Sequence, residues 1–480
     1  MGQAEAANGL ADAIDNALTP VSDFVSSIIF YSVKIGGVDL PLVVIWLISA
    51  AAILTFSLRF INLRGFRHAW RLVLNPQDQK GADGEISHFQ ALSSAISGTV
   101  GLGNIASVPV AIALGGPGAV FWMILAGFLG MSSKFAECAL AVKYRRFAPD
   151  GRVIGGPMYY IEAILSRHGL KTFGKIAAVF FAVMCMGASV SIFQVNQAHA
   201  QFANVTGLSI PVTFGIIMAS GVGYVIFGGI RRIGKVTGIL VPLMGAVYIG
   251  AGIIIILLNF AELPHAIATI FESAFGLDAA GGGLIGALIN GIRRATYSNE
   301  AGVGSAAIAH SAVRTNEPLT EGYVALLEPF LDTVVVCTIT ALVVVVTGAY
   351  EPFLFAEGDL QGIEITSAAF ASAFPWFPYI LLMASMLFAF TTLVSWSYYG
   401  AQAAAYLFGA TKRVDVTFKL ILCTLLSTGA AVSLSSIINF TDSMLFGMCI
   451  PNIIALYMLL KELRSDVRTY EAKYLGRKRE

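Results

Sequence analysis

Charge is what this chain has least of. Only 12% of its 480 residues are Asp, Glu, Lys or Arg, and 30 basic against 29 acidic residues leave a formal net charge of +1. That sum says nothing about acidic or nucleic-acid partners, and the useful information is where the charges sit; no nucleic-acid partner is expected. Cysteine is scarce as well. Cys138, Cys185, Cys337, Cys423 and Cys449 fall singly in apolar runs, with neither disulfide pairing nor metal-ligand spacing, and are expected as buried thiols. The six histidines show no ligand spacing and are assigned no chemistry. No nucleophile-base pair or metal cluster lies inside the apolar runs, which argues against a membrane-embedded enzyme. Residues 1–40 lack the basic start of a signal peptide. What is abundant is apolar surface: 56% hydrophobic residues and a mean hydropathy of +0.76. These values predict an all-α polytopic membrane protein.

Read in order, the chain gives an acidic lead-in over 1–40 (Glu5, Asp12, Asp15, Asp23 and Asp39 against Lys34) and a first span over 41–60. Further spans are predicted at about 88–113, 119–143, 174–198, 209–228, 237–259, 281–312, 322–348, 377–402, 416–436 and 439–460, followed by a basic tail over 461–480. Eleven spans put the two ends on opposite sides. Of the 30 Lys and Arg residues only Lys34 then falls in an external segment, while Glu351, Glu357, Asp359 and Glu364 form an external acidic loop. Positive charge marks the cytoplasmic side, so the N-terminus is predicted outside and the C-terminus inside.

The second span contains SGTVGLGN, Ser97 to Asn104, with glycines at 98, 101 and 103. Three glycines in six residues weaken a helix where lipid leaves no water for freed N–H and C=O groups. A half-helix starting near Leu102 would aim N–H donors at an anion, and the carbonyls before it would face a cation. A zwitterion plus a metal ion fits both ends; close helix packing through small residues is the competing reading. Gly101-Leu102-Gly103-Asn104 is echoed by Gly302-Val303-Gly304-Ser305 five spans later. An odd offset inverts the second copy, which predicts repeats over 88–259 and 260–460. Span seven has two candidate breaks, Asn290-Gly291 and Ala301 to Gly304.

Four runs carry a family resemblance: GTVGLGNIASVPVAIALGGPGAVFWM (98–123), GMSSKFAECALAVKYR (130–145), GGPMYYI (155–161) and SNEAGVGSAAIAH (298–310). The chain resembles the alanine/glycine:cation symporters over most of its length. That family is similar in fold to the LeuT-type sodium symporters, with one extra helix ahead of a 5+5 inverted repeat, and eleven spans agree with this. The resemblance implies a sodium-coupled importer of small neutral amino acids, alanine and glycine, in a bacterial or archaeal inner membrane. A proton-coupled carrier and a channel built on glycine breaks are the alternatives. Proton-coupled relatives of the fold can place a lysine near the sodium position, and Val236 to Asn259 contains none.

By the same resemblance, the carbonyls of Ser97, Val100 and Phe388 and the hydroxyls of Thr391 and Thr392 would bind Na+. Without it, the favoured reading is that the two threonines bond back to preceding carbonyls of their own helix. Thr99 and Asn104 are candidates for a second cation site. The N–H groups near Gly101, Leu102 and Gly103 would take the substrate carboxylate. Phe193, Gln194 and Trp396 would wall the pocket, with the Gln194 oxygen on the ammonium; Asn290 and Gly291 join them if span seven breaks there. The sequence departs from the family at Leu102, commonly Thr, and at Ser107, commonly Gly. Among ionisable residues in spans, Lys134 with Glu137 and Glu328 with Asp332 have the spacing of local pairs, and Glu300 is the candidate partner of Arg293 and Arg294.

Overall fold

Long apolar runs can satisfy their backbone in lipid only as helices, and helices dominate the computed structural model of the chain. It describes residues 19–20, 22–35, 38–74, 81–276, 283–354, 362–431 and 434–476. Glu5, Asp12, Asp15, Glu357, Asp359 and Arg477 to Arg479 lie outside these. A short hairpin, β1 (Ser32–Ile35) against β2 (Val38–Pro41), leads into α1 (Leu42–Ser57).

The first interrupted span is α2 (His88–Thr99) followed by α3 (Gly103–Gly115), bent by 47°. Ser87 and Gln90 close a capping box at the start of α2, and α3 opens as a π-helical turn over Gly103–Ser107. After a glycine turn come α4 (Ala119–Lys143), then α5 (Lys171–Ala188) and α6 (Ile192–Thr206) as one run interrupted at Ser191, whose φ is 40°. Next are α7 (Pro211–Ile226) and α8 (Gly229–Leu258). The second interruption separates α9 (Gly283–Asn299) from α10 (Ser305–His310), with Glu300, Gly302 and Gly304 at φ of 53°, 91° and 92°. The chain continues through α11 (Pro318–Val346), α12 (Phe377–Phe408), α13 (Lys412–Thr428) and α14 (Leu434–Tyr474).

Among the described residues, six helices are long and apolar enough to cross a membrane, seven with the bent pair α2/α3. The other four predicted spans are also helical, but α1, α7 and α13 are shorter and α9/α10 is broken. Helix α14 runs 41 residues, about 60 Å at 1.5 Å per residue, so it continues past a bilayer into what the sequence marks as tail. Lys143 with Glu462 (2.7 Å) and Lys473 with Glu317 (3.0 Å) tie that extension to the basic ends of the bundle.

Two packed groups position the site. Helix α4 is the centre of one, with α1, α9, α10 and α11 against it and α2 beside α10; α12 is the centre of the other, with α5, α6 and α8. The contact of α12 with α2 joins the two groups at the first helix break.

Candidate functional site

The break falls at Val100 to Leu102, where the Val100 ψ of 93° ends α2. Two of the freed donors are taken by side chains. The Gly101 N–H donates to Asn104 Oδ1 (2.9 Å) and the Leu102 N–H to Gln194 Oε1 (3.2 Å). A polar side chain from α6 therefore sits on the N–H group that the sequence assigns to a substrate carboxylate. Gln194 is placed beside Leu102 as acceptor, rather than standing free for an ammonium.

On the α12 side, the two threonines diverge. Thr391 donates to the Leu387 and Phe388 carbonyls of its own helix (2.9 and 3.2 Å) and reaches Met244 Sδ of α8 at 3.5 Å. The buried Thr392 hydroxyl has no hydrogen-bond partner among the described residues. A methyl built on Gly101 would lie 2.7 Å from that oxygen and 3.3 Å from both amide atoms of Gln194. So Thr392 and Gln194 converge on Gly101. Ser97 is fully buried and bridges the groups, its hydroxyl donating to Ser94 O (3.1 Å) and Thr391 O (3.3 Å) and touching Ser395 Oγ. These are hard oxygen atoms, of the type that binds an alkali cation in place of water.

Beside the break is a cavity of about 30 Å³, lined by Gly98, Thr99, Gly103, Phe193, Gln194 and Trp396 together with Ala188, Ser191, Tyr297, Glu300, Thr441 and Leu445. Trp396 is held by its indole N–H on the Gly98 carbonyl (3.2 Å), and Phe193 meets Tyr297 edge to face with centroids 6.1 Å apart. A methyl on Gly103 would meet Tyr297 at 3.4 Å, ordinary contact. Glu300 brings a carboxylate to this wall, accepting from the Ser305 hydroxyl.

The two residues named for a second cation share no hydrogen-bond partner. Thr99 donates to Ala95 O and Ile96 O of its own helix, both at 3.3 Å. The Asn104 amide donates to Asp332 Oδ1 (2.7 Å) and Ser298 Oγ (2.8 Å). Asp332 also accepts from Ser298 and Thr333, both at 2.7 Å, so Asn104 locks the start of α3 to α9 and α11.

Several placements differ from the sequence reading. Span seven breaks at Glu300 to Gly304, while Asn290 and Gly291 lie within α9. Asn290 donates to its own helix at Gly286 O (3.0 Å), and Gly291 packs where a methyl would meet Trp122 Cβ at 2.9 Å, so neither is among the cavity residues. Arg293 pairs with Asp442 of α14 (3.5 Å) and its guanidinium lies 4.8 Å over the Phe30 ring, where Glu300 was the expected partner. Lys134 pairs across helices with Glu328 (2.9 Å) and not with Glu137, which accepts from Asn452 (2.7 Å). These buried charges are satisfied between helices and not along one helix.

Tyr297, Glu300, Thr441 and Leu445 were not read from the sequence as pocket residues. The first two adjoin the SNEAGVGS run and become legible once the break is placed there. Thr441 and Leu445 come from α14, and no local signal marks them.

Residues of both helix breaks, Gly98, Thr99 and Gly103 of the first and Glu300 of the second, line one small cavity with aromatic walls, beside the buried hydroxyls of Ser97 and Thr392. The model of the sodium:alanine symporter family matches residues 24–480, and the chain belongs to that family, whose members are transporters and not enzymes. It is 38% identical over 450 residues to the sodium/alanine symporter AgcS of Methanococcus maripaludis, covering 93% of this chain and 97% of that one. It is 33% identical over 405 residues to the sodium/proton-dependent alanine carrier protein of Bacillus sp. PS3, covering 82% and 89%. Among solved structures it is similar to MhsT in complex with L-phenylalanine, with a TM-score of 0.54 at 15% identity over 81% of this chain and 98% of that one. At that identity the likeness is one of fold.

Proposed function

We propose that the chain is a sodium-coupled symporter that imports small neutral amino acids, alanine and glycine, by alternating access. The observation that carries this is the partnerless Thr392 hydroxyl directed at Gly101, beside a cavity bounded by Gly103, Phe193, Gln194 and Trp396. In this reading Na+ sits between α2 and α12, held by the Ser97, Val100 and Phe388 carbonyls and by Thr392, with Thr391 rotating from its own helix to join them. The cation bridges the two packed groups and so stabilises the form in which they are together. Asn104 and Thr99 act apart: Asn104 fixes the break, and Thr99 lines the pocket.

The substrate carboxylate takes the N–H groups of Leu102 and Gly103, displacing Gln194, whose oxygen is then free for the ammonium. Glu300 supplies the pocket with a counter-charge for that ammonium. The relatives' names support alanine as cargo and leave both sodium and proton coupling in view. Sodium is favoured because the α8 side chain at Thr391 is the Met244 thioether, a group with no proton to exchange. Lys235, near the start of α8, is exposed. The chain crosses the inner membrane of a bacterium or archaeon eleven times, N-terminus outside and C-terminus in the cytoplasm, as one helix followed by repeats over 88–259 and 260–460.

The test is sodium-dependent binding of labelled alanine to purified, folded protein. Gly103→Ala should lose alanine affinity by at least about tenfold while folding normally, because the added methyl enters the cavity against Tyr297. Normal binding by this variant would place the substrate elsewhere.

A further inference from the structure

Five buried ionisable groups that the transport reading does not use, His88, Glu321, His310, Glu328 and Lys134, form one string. Starting beside exposed Ser87, His88 at the first residue of α2 meets Glu321 Oε2 of α11 through Nδ1 at 2.5 Å. The other oxygen of Glu321 meets Nδ1 of His310, the last residue of α10, also at 2.5 Å. His310 Nε2 faces Glu328 Oε2 at 3.7 Å, and Glu328 Oε1 accepts from Lys134 of α4 at 2.9 Å. The field of Lys134 reaches Glu300 in the pocket wall. Acid and base alternate along the string, from the basic end of the bundle to the cavity.

Two features point to a bound proton. Leaving aside Glu300, which belongs to the pocket, three buried carboxylates, Glu137, Glu321 and Glu328, accompany one ammonium and two imidazoles. With both imidazoles neutral the string carries two excess negative charges, in a medium where an unpaired charge costs several kcal/mol. It therefore holds protons. Furthermore, His310 Nε2 and Glu328 Oε2, in side chains with no exposed surface, have no hydrogen-bond partner among the described residues and face each other at 3.7 Å, too far apart to share a proton directly but leaving each with a position at which one can bind.

Other groups around the string neither complete nor neutralise it. Arg145 acts on Glu321 from beyond α4 but spends its donors on the carbonyls of Ser311, Val313, Asp83 and Thr315. From α4, Cys138 lies in the field of Glu321 and Glu328, and from α12 Tyr399 lies in that of Glu300 and Glu328. Asp332 of α11 is engaged by Asn104, Ser298 and Thr333. The helix Phe66–Leu74 and α14 direct His68 and Glu471 to Tyr323, two residues along α11, and the helix Pro157–Arg167 contributes Tyr160, bonded to Asn452.

We infer that Glu321, bridged between His88 and His310, is the centre of a proton-binding site that exchanges with the cytoplasm when α2 separates from α10 and α11. This rests on the alternating-access reading above. In the closed form each proton lies between two acceptors. Parting the helices removes one of them, and the proton passes to water as hydronium, breaking only its N–H or O–H bond. Acid on the cytoplasmic side therefore favours the closed form and slows release of the amino acid, and alkali favours opening.

The experiment uses the full chain in two preparations. Wild-type protein in weak buffer with a pH indicator receives alanine at saturating sodium, across about pH 5 to pH 9. Proton exchange with the medium that varies with starting pH is expected. In liposomes, alanine counterflow should fall at least about threefold as the cytoplasmic-side pH goes from about 8 to about 6, and His88→Asn and Glu321→Gln should flatten that profile. No proton exchange by the wild type at any pH overturns the inference, as does an unchanged profile in either folded variant. The wild-type readout decides if both variants misfold. Sodium-driven uptake in the same liposomes separates the two readings: its persistence without proton exchange removes only this inference, and its loss removes the transport reading.

Discussion

Thr391 and Thr392 carry the same hydroxyl on adjacent residues, and about 100° of helix rotation gives them different roles. Thr391 bonds back to its own helix, whereas Thr392 is left without a partner against Gly101. A buried hydroxyl without a partner costs about 1–3 kcal/mol, and a cation offsets that. Thr392→Val keeps the shape and removes the oxygen, so the sodium midpoint of alanine binding should rise about tenfold, roughly 1.4 kcal/mol, with saturated transport less affected. An unchanged midpoint in a sodium titration would exclude Thr392 as a ligand. Lys134 gives a contrasting case. It and Glu328 are fully buried, so Lys134→Ala leaves a carboxylate uncompensated and should destabilise the protein by about 3–5 kcal/mol. Thermal unfolding in detergent measures this, and a loss under about 1 kcal/mol would mean the pair is not closed.

At the scale of elements, the two interrupted helices meet at their basic ends. The Glu85 N–H donates to Ala312 O and the Arg314 N–H to Ile86 O, both at 2.8 Å, and Arg145 spans the junction through four carbonyls. This closes that end in the present conformation. Arg145→Ala should loosen it, raising amide hydrogen exchange at Arg314 and Thr315 more than about tenfold while α4 stays protected. Unchanged exchange there would show that the backbone pairing alone holds the closure. The first break was legible in the sequence because three glycines inside an apolar span leave few alternatives. The second was not, because Asn290-Gly291 and Ala301 to Gly304 both weaken a helix; only packing of Gly291 against α4 decides between them. The side-chain partners of the buried charges were illegible for the same reason, since spacing along one helix says nothing of which neighbour that face meets.

For the whole molecule, helix positions followed from the apolar runs, and the family followed from long motifs. The pocket did not, since it draws Thr441 and Leu445 from α14 and Glu300 from the break. The cavity of about 30 Å³ has room for water and not for a whole amino acid, so it must widen to take cargo; because its walls are glycine backbone, Phe193, Tyr297 and Trp396, alanine and glycine should compete for uptake while lysine and glutamate should not. Equal inhibition by all four would place the pocket elsewhere. The most direct test is uptake of labelled alanine into liposomes containing the purified protein, driven by an inward sodium gradient or, without sodium, by a pH gradient alone. Saturable accumulation above the external concentration with sodium, and none with the pH gradient, is the expected result. Equal drive by the pH gradient would contradict sodium coupling, and flux that only equilibrates alanine would make the protein a channel.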